Sequence, residues 1–229
     1  MGDIHPVVAG PWSDVFVGRT GEVDVLGRLV AAAVAAGRGG SVYVEGEAGI
    51  GKSAVLAAGL SQAGERGCQL FWCAADAARE RLPLRALADG LGVGPDELLP
   101  ADVTTRLDPG DDPVPAMVKS LLDRVDRICA RAPTVLVLDD LHNADDATLL
   151  VWNRLSRSLG QLPLLLAAAA RPVSRRAEVA GLRRTLLAGG TVGLSLDPLS
   201  DSHVIEVVGR LVDAGVGTLL RRSVAGVPS

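Results

Sequence analysis

Residues 41–53 read SVYVEGEAGIGKS, a short apolar run that reaches a glycine and then satisfies G-x-x-x-x-G-K-[ST] from Gly46 to Ser53. The chemistry explains the spacing. Glycines let successive backbone N–H groups turn inward around phosphate oxygens, where side chains would intrude. A helix opening at the end of such a loop adds the positive end of its dipole. Gly46, Glu47, Ala48, Gly49, Ile50 and Gly51 form the cradle, and Lys52, Ser53 and Ala54 begin the helix. Lys52 is the candidate for the β- and γ-phosphates and the Ser53 hydroxyl for Mg²⁺. With 27 Gly, 21 Ser or Thr and 2 Lys in 229 residues, roughly 0.002 matches to this pattern arise by chance. One of the two lysines, against 21 arginines, stands where a compact ammonium rather than a planar fork is wanted.

The segments around the loop alternate between strand and helix. Strands are expected at 41–46, 69–75, 134–140, 162–170 and 191–196. Helices are expected at 18–36, 52–65, 83–91, 116–131, about 145–160, near 174–188 and from about 200 onward. The stretch 116–131 places Leu121, Leu122, Val125 and Ile128 at helical spacing, as an amphipathic helix requires. Five prolines break 92–115, which reads as a loop. Continuous apolar strands imply a sheet buried on both faces, hence parallel and flanked by helices. The fold class is therefore α/β, with three layers and about five parallel strands.

TVLVLDD (134–140) ends a buried strand on two acids, at the sheet edge where parallel α/β proteins bind ligands. Asp139 is the candidate for holding Mg²⁺ and Asp140 for orienting or deprotonating an attacking water. A bland alternative is two acids capping a strand. A strand and a helical stretch intervene in sequence between loop and acids. That suggests a sheet in which another strand separates the two. No N-K-x-D guanine motif occurs, so adenine is the expected base.

Composition bounds the rest. The chain is 48% hydrophobic, 22% charged and 3% aromatic, with mean hydropathy +0.30, which excludes intrinsic disorder and demands an aliphatic core. A net charge of −4 supplies no whole-chain attraction to nucleic acid or membrane. Cys68, Cys73 and Cys129 lack the number and spacing of a disulfide framework or zinc site. The apolar runs 29–36 and 162–170 fall short of the roughly 18–20 residues a bilayer needs. MGDIHPVVAG carries no basic n-region, so a cytoplasmic protein without a membrane partner is expected. His5 and His203 have no ligand-spaced partners, and His142 reads as capping or packing with a base as the sharper option. Arg175, Arg176, Arg183 and Arg184 read as a solvated helix face without direct DNA contact.

FVGRTGEVDVL (16–26), GEAGIGKS (46–53), RLPLRALADGL (81–91), VLVLDDLHNAD (135–145), LLLAAAARP (164–172) and LSLDPLS (194–200) occur in this order. Together they resemble the nucleotide-binding domain of the signal-transduction ATPases with numerous domains (STAND), specifically the AAA-type domain of large LuxR-type regulators related to the maltose-regulon activator. The resemblance spans roughly 15–229. It implies a tail at 1–15, an ATPase domain at 16–215 and the start of a helical lid at 216–229, with helical sensor repeats and a DNA-binding domain in a longer parent chain. It further implies adenine and ribose contacts from Val17, Gly18 and Arg19, a base contact from the Gly226-Val227-Pro228 motif through Pro228, and a γ-phosphate sensor at Arg171. Without the resemblance Arg171 is an ordinary loop charge. Asn143 stands where the family has tryptophan. The implied activity is ATP hydrolysis to ADP and phosphate, slow, with Mg²⁺, used as a regulatory switch with nucleotide-dependent self-association. Two other readings are a nucleic-acid-stimulated ATPase of the helicase-loader or recombinase type and a non-hydrolysing nucleotide scaffold.

Overall fold

The apolar runs form five strands: β1 (Gly40–Glu45), β2 (Gln69–Ala74), β3 (Thr134–Asp139), β4 (Leu164–Ala170) and β5 (Val192–Ser195). They come from a computed structural model that describes residues 17–76, 82–105, 108, 110–172, 176–210 and 212. Every pairing is parallel and the spatial order is β2-β3-β4-β1-β5. β3 and β4 are buried at every position. Leu136 and Leu138 enter the core on one face, Val135 and Val137 the core on the other. Burial on both faces is why these strands read as continuous apolar runs instead of alternating ones. The three-layer α/β fold with five parallel strands is as expected.

Two helices cover one face. α1 (Thr20–Ala36) and α2 (Lys52–Leu60) bring Leu26, Val30, Val55, Leu56 and Leu60 onto Val42 and Val44 of β1. On the opposite face lie α3 (Arg85–Leu91), the single turn α4 (Pro95–Leu98), α6 (Val114–Cys129), α7 (Asp146–Ser158) and α8 (Ala177–Ala188); a second single turn, α5 (Ala101–Thr104), follows α4 in the chain. Their buried side chains, such as Leu87, Leu121, Trp152 and Leu182, meet Tyr43, Leu136 and Leu166 from the sheet. Residues 201–210 form a further helix, α9. Among the described residues no helix is long and apolar enough to cross a membrane, and all three cysteines are buried and free.

Several boundaries differ from the periodicity. The helix expected over 52–65 ends at Leu60. There Ser61 Oγ donates back to the Ala58 carbonyl at 2.8 Å, and a run of turns follows to the left-handed Gly67. Residues 92–115 hold two one-turn helices, α4 with Pro95 in its first turn, where the missing N–H costs nothing. For the same reason α6 starts before Pro115 instead of at 116. The strand between β1 and β3 is β4, which follows both in sequence, while β2 lies beyond β3 at the sheet edge.

One acid joins two helix starts. Asp145 caps α7 by accepting from the Thr148 N–H at 3.0 Å and from its hydroxyl at 2.6 Å. It also accepts from the N–H of Leu84 at 3.2 Å, a fully buried residue with φ +63 at the start of α3. Side-chain capping is worth about 1–2 kcal/mol, and a leucine in the left-handed region needs outside support. Asp145→Ala is therefore expected to cost roughly 2 kcal/mol. That lowers the melting temperature by about 4–8 °C for a domain of this size, measurable by thermal circular dichroism.

Candidate nucleotide site

The loop 46–51 leaves the sheet between two strand ends. Gly46 N–H donates to the Ala170 carbonyl of β4 at 3.3 Å, and Leu196 N–H donates to the Glu45 carbonyl at 2.8 Å. A Cβ on Gly46 would lie 2.7 Å from Ile50 Cγ2 and 3.2 Å from Leu196, so only glycine closes the loop this tightly. Gly51, at φ +101, is the left-handed cap from which α2 departs, a conformation glycine adopts without penalty. Lys52 is 7% exposed and its Nζ donates to the Gly46 and Glu47 carbonyls at 3.0 and 2.9 Å. These two bonds hold the ammonium over the loop mouth, where Glu47, Ala48 and Gly49 are exposed; Ser53 and Ala54 are half-buried behind them.

Two strands away, Asp139 ends β3 and is 6% exposed. Burial, with the Asp140 charge, pushes its carboxyl above the usual value, against the opposing pull of the Ser53 hydroxyl, the Asp140 N–H and the Lys52 ammonium; the Asp140 N–H donates to its Oδ1 at 3.0 Å. Asp140 adopts φ +53, which aspartate tolerates better than most residues, and its carboxylate is 50% exposed. A 3-10 turn (Leu141–Asn143) follows, closed by Asn143 N–H onto the Asp140 carbonyl at 2.8 Å. Beside Asn143 lies a cleft of about 170 Å³ bordered by Ala75, Leu82 and Ala86.

His142 belongs to this cluster, which its sequence neighbourhood had left between packing and chemistry. Its side chain is 10% exposed and Nδ1 lies 3.9 Å from Asp140 Oδ1, and neither ring nitrogen has a hydrogen-bond partner among the described residues. Burial holds the imidazole below its ordinary pKa. Asp140 and Asp139 pull it up, while Arg171 and Lys52 push it down. Arg171, exposed and immediately after β4, is thus within electrostatic reach of the same cluster. The structure brings Lys52, Ser53, Asp139, Asp140, His142 and Arg171 to one strand-end crevice.

Mg²⁺ binds through one or two protein oxygens and completes its shell with water and phosphate oxygens. The Ser53 hydroxyl and the buried Asp139 carboxylate beside it fit that requirement. No cluster of three or more His, Cys, Asp or Glu side chains placed to hold a metal occurs among the described residues.

On the far side of β1, Val17 and Arg19 are buried and Gly18 has φ +75. The Arg19 guanidinium donates to the Asp197 carbonyl and pairs with Glu22 at 3.3 Å, tying the start of α1 to the exit of β5. Pro228 and its motif lie outside the described residues. Glu45, one residue before the loop, is gripped by Arg183 of α8 through two bonds of 2.7 and 2.8 Å. No local pattern marks that pair, because it joins positions 138 apart.

A glycine cradle between a strand and a helix, with a carboxylate at the end of a strand separated from it by one other, defines a P-loop NTPase fold with an additional central strand. The AAA ATPase domain family model matches residues 15–167, and the chain belongs to that family. Among solved structures it is similar to the ORC1 protein of Aeropyrum pernix in complex with DNA, at TM-score 0.63 and 21% identity, covering 91% of this chain and 53% of that one. The Aeropyrum pernix ORC2 protein in ADPNP–ADP complexes gives 0.56 and 14%, with coverage of 91% and 55%. Drosophila ORC bound to DNA gives 0.51 and 18%, with 84% and 45%. The chain therefore spans about half the length of these structures, and at such identities the likeness is one of fold. No curated protein matches the sequence.

Proposed function

We propose that the chain is the ATP-binding, slowly hydrolysing switch domain of a STAND-class, LuxR-type transcription regulator, with the ATPase domain at 16–215 and a helical lid beginning at 216. The observation that carries the catalytic part is the convergence of Lys52 on the loop, Ser53 beside the buried Asp139, and half-exposed Asp140 next to them. In this reading the amides of 46–53 and the Lys52 ammonium hold the β- and γ-phosphates. Lys52 leaves a loop carbonyl for a phosphate oxygen as it does so. Ser53 and Asp139 hold Mg²⁺, which when bound neutralises charge on those phosphates. Asp140 accepts a hydrogen bond from the attacking water and takes its proton as the water oxygen bonds to the γ-phosphorus and the bond to the bridging oxygen breaks. Arg171 contacts the γ-phosphate.

Loss of the γ-phosphate removes the Arg171 contact and releases the assembled state, the order–release logic common to nucleotide switches. Self-association, the further domains of a parent chain and a cytoplasmic setting belong to the same proposal. It is supported by the ordered motifs from 16 to 200 and by a net charge of −4, which disfavours a DNA-tracking motor.

Asp140→Asn is expected to retain nucleotide affinity and to lose hydrolysis by at least about 100-fold, the low end for a positioned base. Phosphate release with and without DNA, beside equilibrium binding, checks this. Normal turnover in the variant removes Asp140 from the chemistry. Strong stimulation by DNA favours a loader, and binding without any phosphate release by the wild type favours a scaffold.

A further inference from the structure

The strand order assigns directions to a nucleotide held in the loop. Asp139 of β3 and Arg171 after β4 lie to one side of β1, whereas β5 lies to the other. Phosphates that end at Lys52 and Asp139 must leave the ribose and base toward the exit of β5. What stands there is a wall built from distant pieces. Leu196 touches the loop at Gly46, Asp197 is tied to Arg19, and the ring of His203, in the first turn of α9, lies on the backbone of Gly18. A Cβ on Gly18 would meet three atoms of that ring at 2.7–3.1 Å.

The ring is positioned, not free. Ser200 Oγ lies 2.9 Å from His203 Nδ1 and accepts from the His203 N–H at 3.4 Å. One face of the imidazole covers Gly18, and the residue remains half-buried. The other described aromatic rings lie elsewhere: Tyr43 and Trp152 in one core, Phe71 packed on that core, Trp72 in the other, and the His142 imidazole beside Asp140. Nucleobases stack on aromatic faces, purines with the larger overlap. Gly18 matters here because a side chain at that position would displace the ring.

We propose that His203 is the base-contacting residue of the site, offering its outer face as the stacking surface for a purine. This rests on the nucleotide-binding reading of the loop, and the test separates the two. The full chain is titrated calorimetrically with ADP and, separately, with inorganic tripolyphosphate, which has phosphates but no base. His203→Ala is expected to weaken ADP about tenfold and to leave tripolyphosphate unchanged. His203→Phe, which keeps an aromatic face, is expected to bind ADP within about threefold of wild type. Gly18→Ala is expected to follow His203→Ala. Unchanged ADP affinity in His203→Ala, or equal losses of ADP and tripolyphosphate, overturns the assignment of His203 while the loop reading stands. Failure of the wild type to bind either ligand overturns the loop reading itself.

Discussion

Lys52→Ala is expected to weaken ATP binding by about 100-fold or more. The ammonium supplies charge-assisted hydrogen bonds worth about 1.5–3 kcal/mol each. Two of them at the low end reach about 3 kcal/mol, or roughly two decades of affinity. In the structure the same nitrogen bonds to the Gly46 and Glu47 carbonyls at 3.0 and 2.9 Å, so the variant also leaves the loop less well held. Circular dichroism beside calorimetry distinguishes a folded domain that has lost its ligand from one that has lost its fold. ATP affinity within threefold of wild type, in folded Lys52→Ala, contradicts the role given to this residue.

Asp139→Asn is expected to abolish turnover and at the same time to stabilise the protein. Asp139 is buried, and burial raises its pKa in the folded state above the unfolded value. The folded state binds that proton more tightly, so the associated stability is fully present below the unfolded pKa and is lost as pH rises through the folded one. At neutral pH the ionised carboxylate is therefore a net cost. Asparagine removes the charge while its carbonyl can still accept from the Asp140 N–H. A gain of about 0.5–2 kcal/mol is expected, typical where a functional group has been kept at the expense of stability. It should read as about 2–4 °C per kcal/mol in the melting temperature. The advantage should shrink as pH falls toward the carboxylate range, where the wild-type side chain is itself protonated. A variant that melts below wild type at pH 7 contradicts the electrostatic picture of the site.

What could be read in the chain were the parts whose chemistry is local. The phosphate loop needs Gly46, Gly51, Lys52 and Ser53 within eight residues, and the paired acids close an apolar run that any buried parallel strand would show. Continuous hydrophobicity in 134–139 and 164–170 likewise implied burial on both sheet faces. Other features rest on pairings between distant positions. β4 lies between β1 and β3 through hydrogen bonds that no local pattern records. Arg19 reaches Asp197 across 178 positions and Arg183 reaches Glu45 across 138. The left-handed backbone of Leu84 is imposed by the turn around it, since a leucine does not announce it, and that of Asp140 is one an aspartate merely tolerates. His203 was legible only as an isolated histidine, and His142 only as a neighbour of the acids, between packing and a base. Their places became apparent once the fold set one beside Asp140 and the other on Gly18.

The grip of the loop on phosphate can be watched at its own amides. In ¹⁵N-resolved NMR of the full chain titrated with ATP and Mg²⁺, the N–H resonances of Gly49, Gly51, Lys52 and Ser53 should show the largest shifts. Those shifts should saturate together, with smaller ones at Asp139 and Asp140. Saturating shifts that bypass residues 46–53, or none at millimolar ATP with a folded spectrum, would contradict it.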